Sequence, residues 1–159
     1  MKNIVIQLVG ILLLSLTAAA QDRPNFSGKW GLDTNKSDFG EFPAPNSQTN
    51  IIEHKDPNIK LTQTIKGQAV SGGEATTERH YTTDGIESSN KIGQQEMKSI
   101  AKWDGNKLVI DSKLETPNGT VEIKDSWELT GGGKQMAVTR DFKTPEGERK
   151  QKLLFNKQQ

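Results

Sequence analysis

Residues 101–142 read AKWDGNKLVIDSKLETPNGTVEIKDSWELTGGGKQMAVTRDF, and the way their apolar residues alternate decides the fold. A four-residue loop over Gly131 to Lys134 sets Thr130 against Gln135, Leu129 against Met136, Trp127 against Val138 and Ile123 against Phe142. Each apolar residue then meets another across the hairpin. The same loop length over Thr116 to Gly119 pairs Leu114 with Val121, Ser112 with Ile123 and Leu108 with Trp127. Over Asp104 to Lys107 it pairs Trp103 with Leu108 and Ala101 with Ile110. A slip of one residue would turn the whole apolar set outward, so agreement across three successive hairpins predicts an antiparallel meander.

The pattern extends in both directions. Period-2 segments fall at 49–54, 58–66, 75–83, 86–92, 96–103, 107–114, 120–129, 135–142 and 149–156, and a first one surrounds Trp30. Between them stand turn formers such as Lys66-Gly67, Asp84-Gly85 and Pro145-Glu146-Gly147, where glycine, asparagine and aspartate accept positive φ and proline fixes it. No window carries a sustained helical stripe. Ten short antiparallel strands close most simply into an up-and-down, all-β barrel with few free edges. The irregular Asn35 to Asn46 segment, with Gly40, Pro43 and Pro45, reads as a lid or a crossing loop.

Composition sets the function classes. The chain has 159 residues, 21 Lys and Arg against 20 Asp and Glu, two histidines, no cysteine and 31% apolar residues. Near-neutral charge argues against nucleic acid as a partner, which requires an excess of cations to neutralise phosphates. Without cysteine there is no disulfide framework, thiolate nucleophile or zinc-thiolate site. Lys2, the apolar run from Ile4 to Leu16 and Ala18-Ala19-Ala20 read as a secretory signal peptide over residues 1–20, cleaved after about Ala20. The run is shorter than the roughly 20 residues needed to span a bilayer, so no stable membrane insertion is expected after cleavage. Residues 21–159 then form a single secreted or periplasmic domain with equal numbers of acidic and basic side chains. N-x-S/T sequons stand at Asn25, Asn35 and Asn118.

The stretch Asn25-Phe26-Ser27-Gly28-Lys29-Trp30 resembles the Gly-x-Trp opening strand of the calycins, the lipocalins and fatty-acid-binding proteins, whose tryptophan plugs one barrel end. The Trp103-Asp104-Gly105-Asn106-Lys107-Leu108-Val109 hairpin and the ten-strand count are similar to the fatty-acid-binding branch and to small secreted bacterial lipocalin-like proteins. The resemblance spans residues 21–159 and implies a lipocalin-like barrel that holds a ligand. It departs at Lys36 to Pro45, too short for the helix pair that lids fatty-acid-binding barrels.

Polar residues on the apolar face carry the functional reading. The register places Asp125 opposite Arg140 on the inward face, where an ion pair offsets the cost of burying either charge alone. Either the pair only neutralises itself, or Arg140 offers its guanidinium fork to an anionic head group with Asp125 orienting it. Arg140-Asp141-Phe142 is similar to the Arg-x-Tyr pair of fatty-acid-binding barrels without the tyrosine hydroxyl. Arg79-His80-Tyr81 is also Arg-x-Tyr, and the Asp84-Gly85 turn sets Arg79 and Tyr81 on the face of Ile86, Ser88 and Asn90. With Gln63, Ser99 and Ser112 these residues make a half-polar interior, suited to a cavity more than to a packed aliphatic core.

The expected ligand is therefore small and amphipathic or anionic. Its tail would lie against Trp30, Trp103, Trp127, Met136 and Phe142, and its head against Arg140 or the Arg79 and Tyr81 pair. No catalytic residue, metal or cofactor is expected: His54 should face inward beside Ile59 and His80 outward, and no Ser-His-Asp spacing, phosphate loop or His-Glu-x-x-His motif occurs. The competing reading is a protein-interaction module, such as a calycin-type protease inhibitor, acting through Asn35 to Asn46 or a hairpin tip.

Overall fold

The computed structural model describes residues 23–68, 70 and 72–159, so the expected signal peptide lies outside the described residues. Ten strands follow one another: β1 (Gly28–Leu32), β2 (Ser47–Lys55), β3 (Asn58–Lys66), β4 (Glu74–Thr82), β5 (Asp84–Ile92), β6 (Gln95–Asp104), β7 (Lys107–Thr116), β8 (Gly119–Thr130), β9 (Gln135–Thr144) and β10 (Gly147–Gln158). A single 3-10 turn, Gly131–Gly133, joins β8 to β9. The strands form one antiparallel sheet in the order β4-β3-β2-β1-β10-β9-β8-β7-β6-β5, which curls into a nearly closed barrel. Among the described residues no helix is long and apolar enough to cross a membrane.

The expected registers are those observed. Trp127 pairs with Val138 and Leu108, Leu129 with Met136, Ile123 with Phe142 and Ser112, and Trp103 with Leu108. The cause is local: each tight loop fixes its pairing, and each of these strands buries one face only. The inward rows stack in layers from the mouth to the floor. Arg149, Phe142, Ile123, Ser112, Ser99 and Ser88 form one row. Gln151, Arg140, Asp125, Ile110 and Ala101 form the next, and Leu153, Val138, Trp127, Leu108 and Trp103 the one below.

The floor is sealed by the segment that leads into β1. Phe26 is fully buried, stacked 6.0 Å from His54 and from Trp103 and edge-on to Trp127 at 5.8 Å. Its N–H donates to His54 Nδ1 at 3.2 Å, and its carbonyl accepts from Trp30 Nε1 at 2.9 Å. Ser27 Oγ completes the anchor, donating to the His54 carbonyl and accepting from the His54 N–H. Trp30 is buried at the base of the same cluster, as the calycin resemblance implies.

Closure differs from the expectation at one place. β4 and β5 stand at the two ends of the sheet order and share no backbone ladder. The register of β5 against β6 shifts between Asp84 and Glu87, and this bulge turns Ile86 outward, 64% exposed, while Ser88 and Asn90 still face in. The expectation that Ile86 shares the face of Tyr81 is therefore corrected, because one extra residue in a strand inverts the faces on one side of it. Across this seam the Asn90 side chain takes the part of a strand: its Oδ1 accepts from the His80 N–H at 2.6 Å and its Nδ2 donates to the His80 carbonyl at 3.0 Å.

Candidate functional site

On the wall formed by β2, β3 and β4, alternate residues project inward. The resulting rows are Asn50-Gln63-Thr77, Ile52-Leu61-Arg79 and His54-Ile59-Tyr81. The buried amides need partners and find them in one another. Gln48 Nε2 and Gln63 Nε2 both donate to Asn50 Oδ1 at 3.2 Å, and Gln63 Oε1 accepts from Arg79 Nη2 at 3.2 Å. Arg79 Nη2 also reaches Thr77 Oγ1 at 3.4 Å. Gln48 and Asn50 were absent from the sequence-based candidates, yet the alternation Gln48, Asn50, Ile52, His54 shows them on one face.

On the opposite wall, Arg140 and Asp125 form a two-pronged pair. Nε donates to Oδ1 at 2.6 Å and Nη2 to Oδ2 at 2.8 Å. Their side chains are 19% and 10% exposed, so the pair is largely shielded from water. Burial works against the charged guanidinium, but the charge of Asp125 and its hydrogen bonds outweigh that cost and push the Arg140 pKa up. The guanidinium also lies 5.9 Å from the centre of the Phe142 ring.

Tyr81 joins the two walls. Its ring is 4% exposed and meets Trp127 edge-on, with centroids 6.4 Å apart. Burial pushes its phenol pKa up; Arg79 pulls it back and the Asp125 carboxylate pushes the same way as burial. The hydroxyl is therefore protonated at neutral pH. Arg79, Asp125 and Arg140 all act on this one phenol, and Tyr81 meets Trp127, two residues from Asp125 on the same face of β8, so the two groups read separately from the sequence are neighbours inside the barrel.

Above the cluster burial of the inward face falls off. The inward-facing Leu114, Val121, Ile123 and Phe142 are only half buried, although they point the same way as the fully buried Leu108 and Met136. Across this mouth runs residues 33–46, the connection from β1 to β2, as a strap without helix. Asp38 exchanges backbone hydrogen bonds with Lys152 at 2.7 and 2.8 Å, and Arg149 Nε donates to Glu41 Oε2 at 2.8 Å. Phe42 lies 4.8 Å from Phe142, centroid to centroid. A side chain at Gly40, where φ is +57°, would collide with the Lys150 carbonyl, which is why glycine stands where the strap crosses β10.

The remaining candidates fall at the floor. Trp30 donates to the Phe26 carbonyl and Lys157 Nζ lies 5.2 Å from its ring centre; Trp103 stacks on Phe26 with Arg23 5.6 Å from its centre. Both seal the barrel end. His54 faces inward opposite Ile59, with Nε2 3.5 Å from Asp56 Oδ1, and His80 is exposed beside Glu78. The Thr83 hydroxyl at 2.6 Å holds the Asp56 carboxyl below its ordinary pKa against the opposing effect of burial, with His54, Trp103 and Arg23 adding to it.

A trough of about 880 Å3 is lined by the outward residues Glu87, Ile100, Asp111, Lys124, Asp141 and Lys150 and also by Ser99, Ser112, Ile123, Phe142 and Arg149 of the uppermost inward row. Its charges pair along the sheet, Lys150 with Asp141 at 3.0 Å and Lys124 with Asp111 at 3.9 Å, and none of Arg79, Tyr81, Asp125 and Arg140 lines it. Exposed pairs of this kind contribute little to stability or recognition.

No family model matches this chain. No curated protein matches it in sequence either. Solved structures do match in shape. Zebrafish ileal bile acid-binding protein complexed with cholic acid superposes with a TM-score of 0.60 at 17% identity, over 84% of this chain and 98% of that one. A secretory abundant heat soluble protein from Ramazzottius varieornatus gives 0.59 at 14% identity, over 83% and 94%. Protein 4 of the same type and organism gives 0.60 at 13%, over 84% and 95%. The fold is thus a calycin-like barrel.

Proposed function

We propose that this protein binds a small amphipathic or anionic ligand inside its barrel, with its head at the cluster of Arg79, Tyr81, Asp125 and Arg140. The observation that carries the reading is that Arg79, Asp125 and Arg140, on inward faces of β4, β8 and β9, gather about Tyr81 between the buried apolar floor and the half-buried inward residues above it. A solid core has no use for two arginines and a row of serines, whereas a site that orients one polar head needs a few such groups among apolar walls. Trp127 and Phe142 would flank the ligand, with Trp30 and Trp103 closing the end behind it. The neighbour of the same shape complexed with cholic acid, itself an amphipathic anion, supports the class of ligand.

The role is binding rather than catalysis: within the cluster Asp125 is engaged by Arg140 in a two-pronged ion pair, and burial keeps the proton on Tyr81. We further propose that residues 1–20 are a cleaved export signal and residues 21–159 one secreted or periplasmic domain. The binding reading is tested by titrating the purified protein with anilinonaphthalene sulfonate and then with dodecanoate. The expected result is saturable fluorescence enhancement with one probe per chain, reversed by dodecanoate. Absence of saturation, or a bound probe that dodecanoate leaves in place, would refute it.

A further inference from the structure

Both ring nitrogens of His54 are assigned by their partners. Nδ1 accepts the Phe26 N–H at 3.2 Å, so it carries no proton, and the hydrogen of the neutral ring sits on Nε2, 3.5 Å from Asp56 Oδ1. The side chain is 3% exposed, and the ring stacks 6.0 Å from both Phe26 and Trp103. A second proton on this ring can enter only at Nδ1. There it turns the acceptor into a donor facing the Phe26 N–H, and two donors at that distance repel. The seated Phe26 and a doubly protonated His54 therefore exclude each other.

The groups around the ring decide which of them gives way. Asp56, in the turn from β2 to β3, is the carboxylate that faces it. Thr83 Oγ1 donates to Asp56 Oδ1 at 2.6 Å and Trp103 Nε1 at 3.4 Å, while Arg23 Nη1 lies 3.4 Å from Oδ2. The Thr83 bond holds the Asp56 carboxyl below its ordinary range, so it stays ionised in mild acid. From β3 and β4 the row continues through Ile59 to the protonated Tyr81, and Glu53 and Lys55 on the ring's own strand point outward. Asp56 attracts an imidazolium through Nε2, so the barrel end tolerates the charge once the segment blocking Nδ1 has left. Ser27 resists that departure: its Oγ donates to the His54 carbonyl at 3.1 Å and accepts from the His54 N–H at 2.9 Å. These two bonds are to backbone and do not titrate.

We propose that His54 is an acid-sensitive fastener: when its ring takes up a second proton, the segment carrying Phe26 and Ser27 leaves the barrel end while the strands stay paired, and the floor opens. The device is independent of what the barrel carries. Its sign follows from the bare Nδ1. The sealed form binds one proton fewer at this ring than the open form, so sealing gains as pH rises and opening gains as it falls. The open-to-sealed ratio changes by at most about tenfold per pH unit. Protonation of Asp56 would also loosen the floor, but only below the interval of about pH 5 to 8 in which an imidazole titrates.

The test reads the three tryptophans, Trp30, Trp103 and Trp127, all of which stand at the floor. Between about pH 7.5 and about pH 5, wild-type emission should shift to the red and acrylamide quenching should rise, with the far-ultraviolet β signal unchanged. Nitrogen-15 shifts of the His54 ring should show Nδ1 bare in the sealed form and gaining its proton at the midpoint of the emission change. His54→Gln should abolish the response, and His80→Gln, at the exposed histidine beside Glu78, should preserve it. Ser27→Ala should move the midpoint to higher pH, because a weaker seal needs less proton binding to open. Constant emission across the interval, or a response that survives His54→Gln or is accompanied by loss of the β signal, would overturn the proposal. Should His54→Gln fail to fold, a wild-type emission midpoint that differs from that of Nδ1 protonation would overturn it equally.

Discussion

Replacing Asp125 with alanine is expected to cost about 3–5 kcal/mol of folding stability, with Arg140→Ala costing a similar amount. Either change leaves a buried charge without its partner. The pair is two-pronged, with Nε to Oδ1 at 2.6 Å and Nη2 to Oδ2 at 2.8 Å, and its side chains are 19% and 10% exposed, so solvent screens the stranded charge poorly. That residual exposure at the mouth places the expected loss toward the lower end of the range. Removing both charges at once has a different outcome. Asp125→Leu with Arg140→Met replaces the pair by apolar side chains of comparable size beside Ile110 and Val138, and exchanges of that kind run from neutral to stabilising. Urea denaturation of the two single variants and the double variant reads all three. Single variants that lose under 1 kcal/mol would show that water already solvates the pair in the folded protein.

Phe26→Ala is expected to cost about 3–5 kcal/mol, as truncation of a buried aromatic does. Phe26 lies outside the barrel strands, yet its ring fills the space enclosed by His54, Trp103 and Trp127 and is fully buried. The walls around that space are strands held by their ladders, so they collapse little onto a void, and the cost stays near the full cavity value. Its backbone N–H and carbonyl are committed to His54 and Trp30, and loss of the ring would loosen both contacts. Phe26→Leu should recover much of the loss. Thermal unfolding gives the stability, and tryptophan emission reports the seal: the alanine variant should shift to the red as Trp103 loses its stacking partner. A variant that melts within a degree or two of wild type would mean that the segment leading into β1 does not seal the barrel.

The parts of this fold readable in the chain are those governed by short loops and one-sided burial. β6 through β9 are joined by tight turns, so choosing each loop length fixed every pairing, including that of Asp125 with Arg140. The β4 to β5 hairpin defeated the same arithmetic because the irregularity between Asp84 and Glu87 inverts Ile86 without any signal in residue type. The seam it leaves, and the Asn90 amide that stitches it, depend on where the two sheet ends arrive after the barrel has curled. The strap was legible as an irregular crossing segment, but its fastenings were not, since Arg149 and Glu41 or Asp38 and Lys152 are brought together only by β1 pairing with β10.

The candidate site divides in the same way. Period-2 alternation put Arg79, Tyr81, Asp125, Arg140 and Trp127 on inward faces, and all five point there. That Arg79, Asp125 and Arg140 all act on Tyr81 follows from the barrel's circumference, which no local pattern records. Which arginine is satisfied and which is open depends on hydrogen-bond geometry. Sequence reasoning left the head group between Arg140 and the Arg79 and Tyr81 pair; in the folded chain Arg140 is engaged by Asp125, and the Arg79 Nε–H has no acceptor among the described residues.

The most direct test of a ligand-carrying barrel is native mass spectrometry of the protein purified gently from its own host, followed by denaturing extraction of what it holds. The account predicts a bound species of low mass, released on unfolding and detected in negative-ion mode as an amphipathic acid. A protein that retains only neutral compounds would contradict the anionic head group; one that has the bare chain mass and also fails to take up dodecanoate would contradict the binding function itself.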